Sequence, residues 1–523
     1  VNVTPKQLIQ VHAKTREAAA KMRIVVASSE AVPFSKTGGL ADVASALPKA
    51  LSQVGHDVSI IVPHYPQVQA KHTDLPDIED IGVSLRVPVG QKIVEARVLK
   101  SHLPGTKVIV YLIDQPGYFD RPGIYVENDQ DYRDNCERFV FFSRSVIETI
   151  ERLQLAPDII HANDWQTGLI PALVAIEMRH IAGYEQQASV FTIHNMAFQG
   201  RFWHWDMNLT RLDWKYFNWQ QMEFFGHLNL LKTGITFADM ITTVSPTYAR
   251  EIQTPEFSYG LHGSLFSRRS DIVGILNGVD TEIWNPATDP YLVKTYTADT
   301  VEAGKTACKA ALQKRLGLPI RPDVPLFGGV SRMTGQKGFS LIGQCADVLM
   351  DLDVQLVFLG TGDPRYEALM SQLAADHPDK VSTTIGYSEE LSHQIEAGCD
   401  VFLMPSEFEP CGLNQMYSLI YGTVPIVRAV GGLADSVIDA SDANRANGTA
   451  NGFSFTDFRS DALFWNICRA RSLFSDKEAW RKIQRQGMQQ DWSWTRSASE
   501  YVRIYERAIA RRHLESECAG DEK

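Results

Sequence analysis

Five short segments carry residue types whose spacing could do chemistry on a phosphorylated, hydroxyl-rich ligand. In Ser35-Lys36-Thr37-Gly38-Gly39-Leu40-Ala41-Asp42, paired glycines open a path for backbone N–H groups to approach a phosphate. The start of a following helix would favour its charge, and Lys36 adds a cation. The plainer reading, a Gly-Gly turn, carries equal weight for this segment alone. In Val330-Ser331-Arg332-Met333-Thr334-Gly335-Gln336-Lys337-Gly338, Arg332 and Lys337 could neutralise charge developing on a leaving diphosphate. Ser406-Glu407-Phe408-Glu409-Pro410-Cys411-Gly412-Leu413 sets the carboxylate of Glu409 beside the start of a helix, where it could hold a sugar hydroxyl or merely complement the helix dipole. His161-Ala162-Asn163-Asp164-Trp165 and Thr192-Ile193-His194-Asn195 gather directed hydrogen-bonding groups and an aromatic face, which suit a sugar.

Chemistry at such points needs rigid elements behind it. Apolar, β-branched runs at 24–28, 58–63, 108–113, 158–162, 189–194, 240–245 and 272–277 predict strands buried on both faces, with helical stretches between them. The pattern restarts at 325–331, 354–360, 400–406 and 424–428, predicting a second doubly wound α/β sheet. All five chemical segments follow predicted strands, at the carboxyl ends where open α/β sheets bind ligands. Five prolines between 286 and 325 mark a linker around a charged helical stretch, with a boundary near 300–325. The division expected is a helical extension at 1–21, a first domain at 22–300, a second at 301–490, and a final helix with its tail at 491–523. Gly-Gly-Leu-Ala-Asp occurs twice, at 38–42 and 431–435.

The 523 residues are 44% hydrophobic and 22% charged, a globular composition with no apolar run long enough to span a membrane. A formal net charge of -11 argues against nucleic acid as a partner. Seven scattered cysteines without a C-x-x-C pair read as reduced thiols in a cytosol-like compartment. The chain begins at Val1 without a signal-peptide pattern, which reads as a processed or trimmed start. Asp351-Leu352-Asp353 spells a D-x-D but precedes a strand, so a metal role is not assigned. Trp203-His204-Trp205 is read as loop packing.

Taken together, the motifs resemble glycosyltransferase family 5, the bacterial glycogen synthases and plant starch synthases. The resemblance runs from about Met22 to about Ala510. It rests on KTGGLADV at 36–43, HANDW at 161–165, HN at 194–195, TVSPTYAREI at 243–252, ILNGVD at 275–280, VSRMTGQKG at 330–338, GYSEE at 386–390, FEPCGL at 408–413 and GGLAD at 431–435. It implies a GT-B fold of two Rossmann-like domains facing a cleft, with a final helix crossing back to the first. It also implies retaining transfer of glucose from ADP-glucose to the 4-hydroxyl of an α-1,4-glucan. Neither metal nor cofactor is expected. By position, Lys36, Gly39 and Asp42 would line the donor site, with Arg332 and Lys337 on its phosphates and Tyr387 against the adenine. Glu409 would hold the glucose, and the backbone of Cys411, Gly412 and Leu413 its neighbouring phosphate. Asp164, Trp165, His194, Asn195 and Asn277 would surround that glucose from the other side, and Tyr125 would contact the acceptor.

Departures from the family pattern occur at Asn414, where Thr or Ile is common, and at Val430, where Thr is common. Asn414 is expected to keep a hydrogen-bond donor near the phosphate. Tyr417, eight residues after Glu409, replaces the second glutamate of other retaining GT-B families. UDP-glucose remains an alternative donor, since Tyr387 would stack on either base, and a catalytically silent glucan-binding protein is a further alternative. A Rossmann oxidoreductase would require a G-x-G-x-x-G after the first strand, which residues 29–42 lack. Location in the cytoplasm, or in the plastid stroma for a plant protein, goes with the resemblance; the oligomeric state is left open.

Overall fold

The computed structural model describes residues 21–70, 75–128 and 130–520; the extension expected at 1–21 lies outside them apart from Lys21. The chain forms two compact units. Among the described residues, the first takes those up to Thr242, then 255–272 and those from Ala498 onward, and the second takes 243–254 and 273–497.

In the first unit, strands β1 (Arg23–Ala27), β2 (Asp57–Pro63), β3 (Glu79–Val89), β4 (Lys92–His102), β5 (Ile109–Asp114), β6 (Ile159–Asn163), β7 (Ala188–Ile193) and β8 (Met240–Thr243) line up in the order β8-β7-β6-β1-β2-β5-β4-β3. From β7 to β5 the pairings are parallel. The expected all-parallel sheet is corrected at one edge. There β3 and β4 form an antiparallel hairpin, turning through Gly90-Gln91, and β4 also pairs antiparallel with β5. These strands alternate polar and apolar residues, with a half-exposed burial pattern, so a search for continuous apolar runs passes over them.

The second unit has six parallel strands: β9 (Leu326–Val330), β10 (Gln355–Gly360), β11 (Val381–Ile385), β12 (Val401–Met404), β13 (Val424–Arg428) and β14 (Phe453–Phe455). Their order, β11-β10-β9-β12-β13-β14, is the 3-2-1-4-5-6 arrangement of the Rossmann fold. Successive side chains fall into two separate cores. Phe327, Leu356, Phe358, Leu403 and Ile426 lie in one, while Leu326, Val357, Leu359, Phe402 and Val427 lie in the other. That division is the period-2 signature of a sheet covered on both faces.

The expected boundary near 300–325 falls inside the second unit. Trp284 is sandwiched between the rings of His393 and Tyr417, each with its centroid 3.9 Å away and its plane nearly parallel to the indole. Asp289 accepts hydrogen bonds from His393 (2.8 Å) and Tyr421 (2.5 Å), so the proline-rich stretch is anchored to this unit's helices. The short helix Pro246–Glu251 joins the second unit for a similar reason. Thr247 donates through its N–H and hydroxyl to Asp435, at 2.7 Å each, and the Glu251 carboxylate accepts from Gly431 N at 3.0 Å. The final helix, Trp494–Gly520, belongs to the first unit from Ala498 onward. Within that unit Tyr505 hydrogen-bonds His161 of β6 at 2.9 Å.

The repeated Gly-Gly-Leu-Ala-Asp has two different settings. A Cβ on Gly432 would lie 2.1 Å from the Cys411 carbonyl oxygen, and one on Gly431 2.0 Å from that of Glu409, with Gly431 at φ +44°. At Gly38 and Gly39 nothing lies within 4 Å of that position, and neither has a positive φ. Gly432→Ala is therefore expected to lower the thermal unfolding midpoint, through a clash costing on the order of 2 kcal/mol. Gly39→Ala, at a helix start, should leave the midpoint unchanged or raise it; paired melting curves check both.

Candidate active site

In the second unit the site is assembled where the strand order reverses, between β9 and β12. The loop after β9 is fastened to the loop after β12. Gln336 Nε2 donates to the Phe408 carbonyl at 2.6 Å, and Glu407 N donates to the Gln336 carbonyl at 2.8 Å. This brings Lys337 Nζ to 2.6 Å from Glu409 Oε2, which also accepts the Ser406 hydroxyl at 3.1 Å. The two residues assigned separately to phosphate and sugar are thus directly paired. Their ion pair is largely buried, where an uncompensated partner would be costly. Arg332 is exposed on the same loop.

Other residues in this unit take places different from those expected. Asn414 spends an amide hydrogen on the Val330 carbonyl at 2.6 Å, tying the helix start to the end of β9. One of its two amide hydrogens thus serves the fold, and the amide carries a second. Asn277, expected among first-domain residues, belongs to the second unit, where its N–H donates to the buried Cys411 thiol. Burial pushes that thiol up to about 12, so it stays protonated, with Gly412 and Leu413 following it to the helix Asn414–Ile420. Tyr387 is 82% exposed, with its hydroxyl held by Glu389. Asp353 of the D-x-D pairs with Arg321 at 2.5 Å.

In the first unit the loop after β1 wraps a carboxylate that motif reading passed over. Glu30 is buried and accepts the Thr37 hydroxyl at 2.7 Å, the Thr37 N–H at 2.5 Å and the Tyr125 hydroxyl at 2.6 Å. Its only sequence signal is a charged residue directly after a buried strand. Burial, with Glu30 alongside, holds the Tyr125 phenol well above its usual range. Lys36 pairs with Asp42 at 2.7 Å, ahead of the helix Gly39–Gln53.

Asp164 follows β6 with φ +57° and ψ -178°, a region costly for any residue but glycine. Its carboxylate accepts the backbone N–H of His194 at 2.7 Å and that of Asn195. Burial raises Asp164 to about 7 and lowers His194 and His161 to about 3. Asn163 donates to the Ala27 carbonyl, so its Oδ1 receives the His194 Nε2–H at 2.9 Å. The imidazole is thereby fixed as a neutral tautomer. Asn195 Oδ1 accepts from Ala197 N at 2.9 Å. Trp165, expected to offer an aromatic face, is buried against Phe139, Phe202 and Gly200; its part is to back Tyr125, 6.4 Å away. Trp203 and Trp205, read as packing, are instead exposed.

Two Rossmann-type units, one with a cation–carboxylate pair at its switch point, define a nucleotide-sugar glycosyltransferase of the GT-B class. Residues 23–267 match the family profile described as starch synthase catalytic domain, and 313–487 match glycosyl transferases group 1. The glycogen synthase of Rhodopirellula baltica is 43% identical over 94% of this chain and 98% of its own. Glycogen synthase 1 of Methylococcus capsulatus is 47% identical over 94% and 97%. The catalytic domain of starch synthase IV from Arabidopsis thaliana, solved with ADP and acarbose, is 33% identical with a TM-score of 0.86, covering 94% of this chain and 100% of that one. The chain belongs to the glycogen and starch synthase family of glycosyltransferases.

Asp164 predicts a pH signature. Its raised folded value means the native state holds a proton that the unfolded chain releases above about pH 4. The associated stabilisation is full below about pH 4 and is lost as pH rises through 7. The depressed histidines act oppositely, weakening the fold as pH falls below about 6.5. Asp164→Asn removes only the first effect. The unfolding free energy of the variant relative to the parent should therefore rise between pH 4 and 7, by up to about 4 kcal/mol, as read by calorimetry across that range.

Proposed function

We propose that the chain transfers glucose from ADP-glucose to the non-reducing 4-hydroxyl of an α-1,4-glucan, with retention of configuration. The observation that carries the residue assignment is the Lys337–Glu409 pair, 2.6 Å apart at the switch point of the second sheet. Lys337 has three donors and can keep Glu409 while meeting an oxygen of the departing diphosphate. Arg332 adds a second cation, and both act on charge that develops as the C1–O bond breaks. The free lone pairs of Glu409 hold glucose hydroxyls and favour the positive anomeric carbon. The exposed Tyr387 ring stacks on the adenine, and the backbone of Cys411, Gly412 and Leu413 lies along the sugar-linked phosphate.

Within the first unit, the loops after β1, β6 and β7 supply the remaining sugar and acceptor groups of this reading. The neutral His194 ring is a positioning group, because an imidazole near 3 is too weak a base to take a proton at neutral pH. Asp164 fixes the main chain at His194 and Asn195. Lys36, Gly39 and Asp42 complete the donor contacts, Gly39 leaving room beside the helix start. Tyr125, backed by Trp165, contacts the incoming glucan; in the second unit, Asn277 supports the Cys411 loop. The acceptor hydroxyl attacks from the face the nucleotide leaves and passes its proton to that leaving group. With two side-chain cations available, the reading calls for neither metal nor cofactor. Buried, unpaired thiols such as Cys136, Cys308 and Cys399 support a reducing, cytoplasmic setting.

The assay is ADP release dependent on glycogen. Lys337→Ala is expected to lower kcat by about 100-fold or more, in line with loss of a transition-state charge contact, and a chelator should leave turnover unchanged. Full turnover by Lys337→Ala would overturn the leaving-group assignment. Preference for UDP-glucose in donor competition would overturn the donor.

A further inference from the structure

The segment following Gly200 presents aromatic rings to water in an ordered row. Strand Arg201–Trp203 pairs antiparallel with His227–Asn229, Phe202 opposite Leu228. Alternation along a strand sends neighbouring side chains to opposite faces. Phe202 turns inward, 5.6 Å from Trp165, while Trp203 is 62% exposed. Two short turns then bring up Trp205, 51% exposed, and Trp214, 39% exposed. The rings meet edge-on, Trp203 to Trp205 at 6.4 Å and Trp205 to Trp214 at 5.4 Å. Trp214 is locked by its indole N–H on Asn208 Oδ1 at 2.9 Å. The row is therefore set before anything binds.

Three indoles left open to water within the twelve residues 203–214 are an interaction surface, not a solvated loop. The charged residues of the segment, Arg201, Arg211 and Lys215 against Asp206 and Asp213, leave a surplus of a single positive charge rather than a basic cluster. A phosphate backbone or an anionic membrane would require one. A pyranose offers apolar C–H faces to rings and hydroxyls to a polar rim, and it carries no charge. The strand that presents Trp203 on one face is anchored on the other by Phe202, which packs on Trp165, the ring that backs Tyr125. We propose that Trp203, Trp205 and Trp214 form an α-glucan docking surface outside the reaction centre, which retains the polymer between transfers. This inference rests on the glucan reading of the site.

The test compares the parent with Trp203→Ala/Trp205→Ala and with Trp205→Phe. Co-sedimentation with glycogen should weaken about tenfold in the double variant, with KM for glycogen rising in step. Turnover with maltotriose and KM for ADP-glucose should stay at the parent level, which also shows that the variant is folded. Trp205→Phe should sediment like the parent. The single variants Trp203→Ser and Trp205→Ser, expected to weaken binding about threefold each, serve if the double variant does not fold. Glycogen retention equal to the parent in the alanine and serine variants overturns the surface while leaving the transferase reading intact. So does loss of self-association in the ultracentrifuge with retention unchanged, which would assign the row to a second copy of the chain. Absence of glycogen-dependent ADP release by the parent would remove both.

Discussion

Lys337 and Glu409 come from loops more than seventy residues apart, and the second unit is arranged so that their charges meet. The parallel pairing of β9 with β12 sets the two loops side by side. Gly338, at φ +79°, leaves room for the Pro405 carbonyl, which would lie 2.2 Å from a Cβ there. Behind Glu409, the backbones of Gly431 and Gly432 press on the same loop, and Gly432 N donates to the carbonyls of Glu409 and Pro410. A charge pair with little access to water is stable only when its geometry is held. Here it is held by backbone hydrogen bonds and by glycines that have no room for a side chain.

Much of this was legible in the sequence, for a definable reason. Strands covered on both faces are nearly continuous in apolar residues, and β1, β2, β7, β10 and β13 announce themselves that way. The ligand loops follow from the rule that open sheets work at their carboxyl ends. What escaped depends on partners distant in sequence. Trp165 reads as a sugar platform until Gly200 and Phe202 cover it. Asn414 reads as a phosphate donor, and nothing near it in sequence shows that one amide hydrogen goes to the Val330 carbonyl. The two Gly-Gly-Leu-Ala-Asp segments are identical as text, yet one closes against backbone and the other opens to free space.

Asp164 shows how a local cost is carried by its surroundings. A non-glycine residue at φ +57° with a buried carboxylate is unfavourable on two counts. Two backbone N–H groups and a hydrogen bond from its own N–H to the Thr192 carbonyl, at 2.9 Å, hold it there. The outcome is a main chain at His194 and Asn195 that cannot drift, beside an imidazole already committed to Asn163.

The contact between Tyr505 and His161 orders events during synthesis. A ribosome releases the chain from its N-terminal end, and domains generally fold as they emerge. The second unit is complete once Ser497 has emerged, whereas the first still lacks the helical turns that carry Tyr505 to His161. The unit that begins the chain is thus the last to be finished, and its early strands must wait while more than two hundred later residues are made.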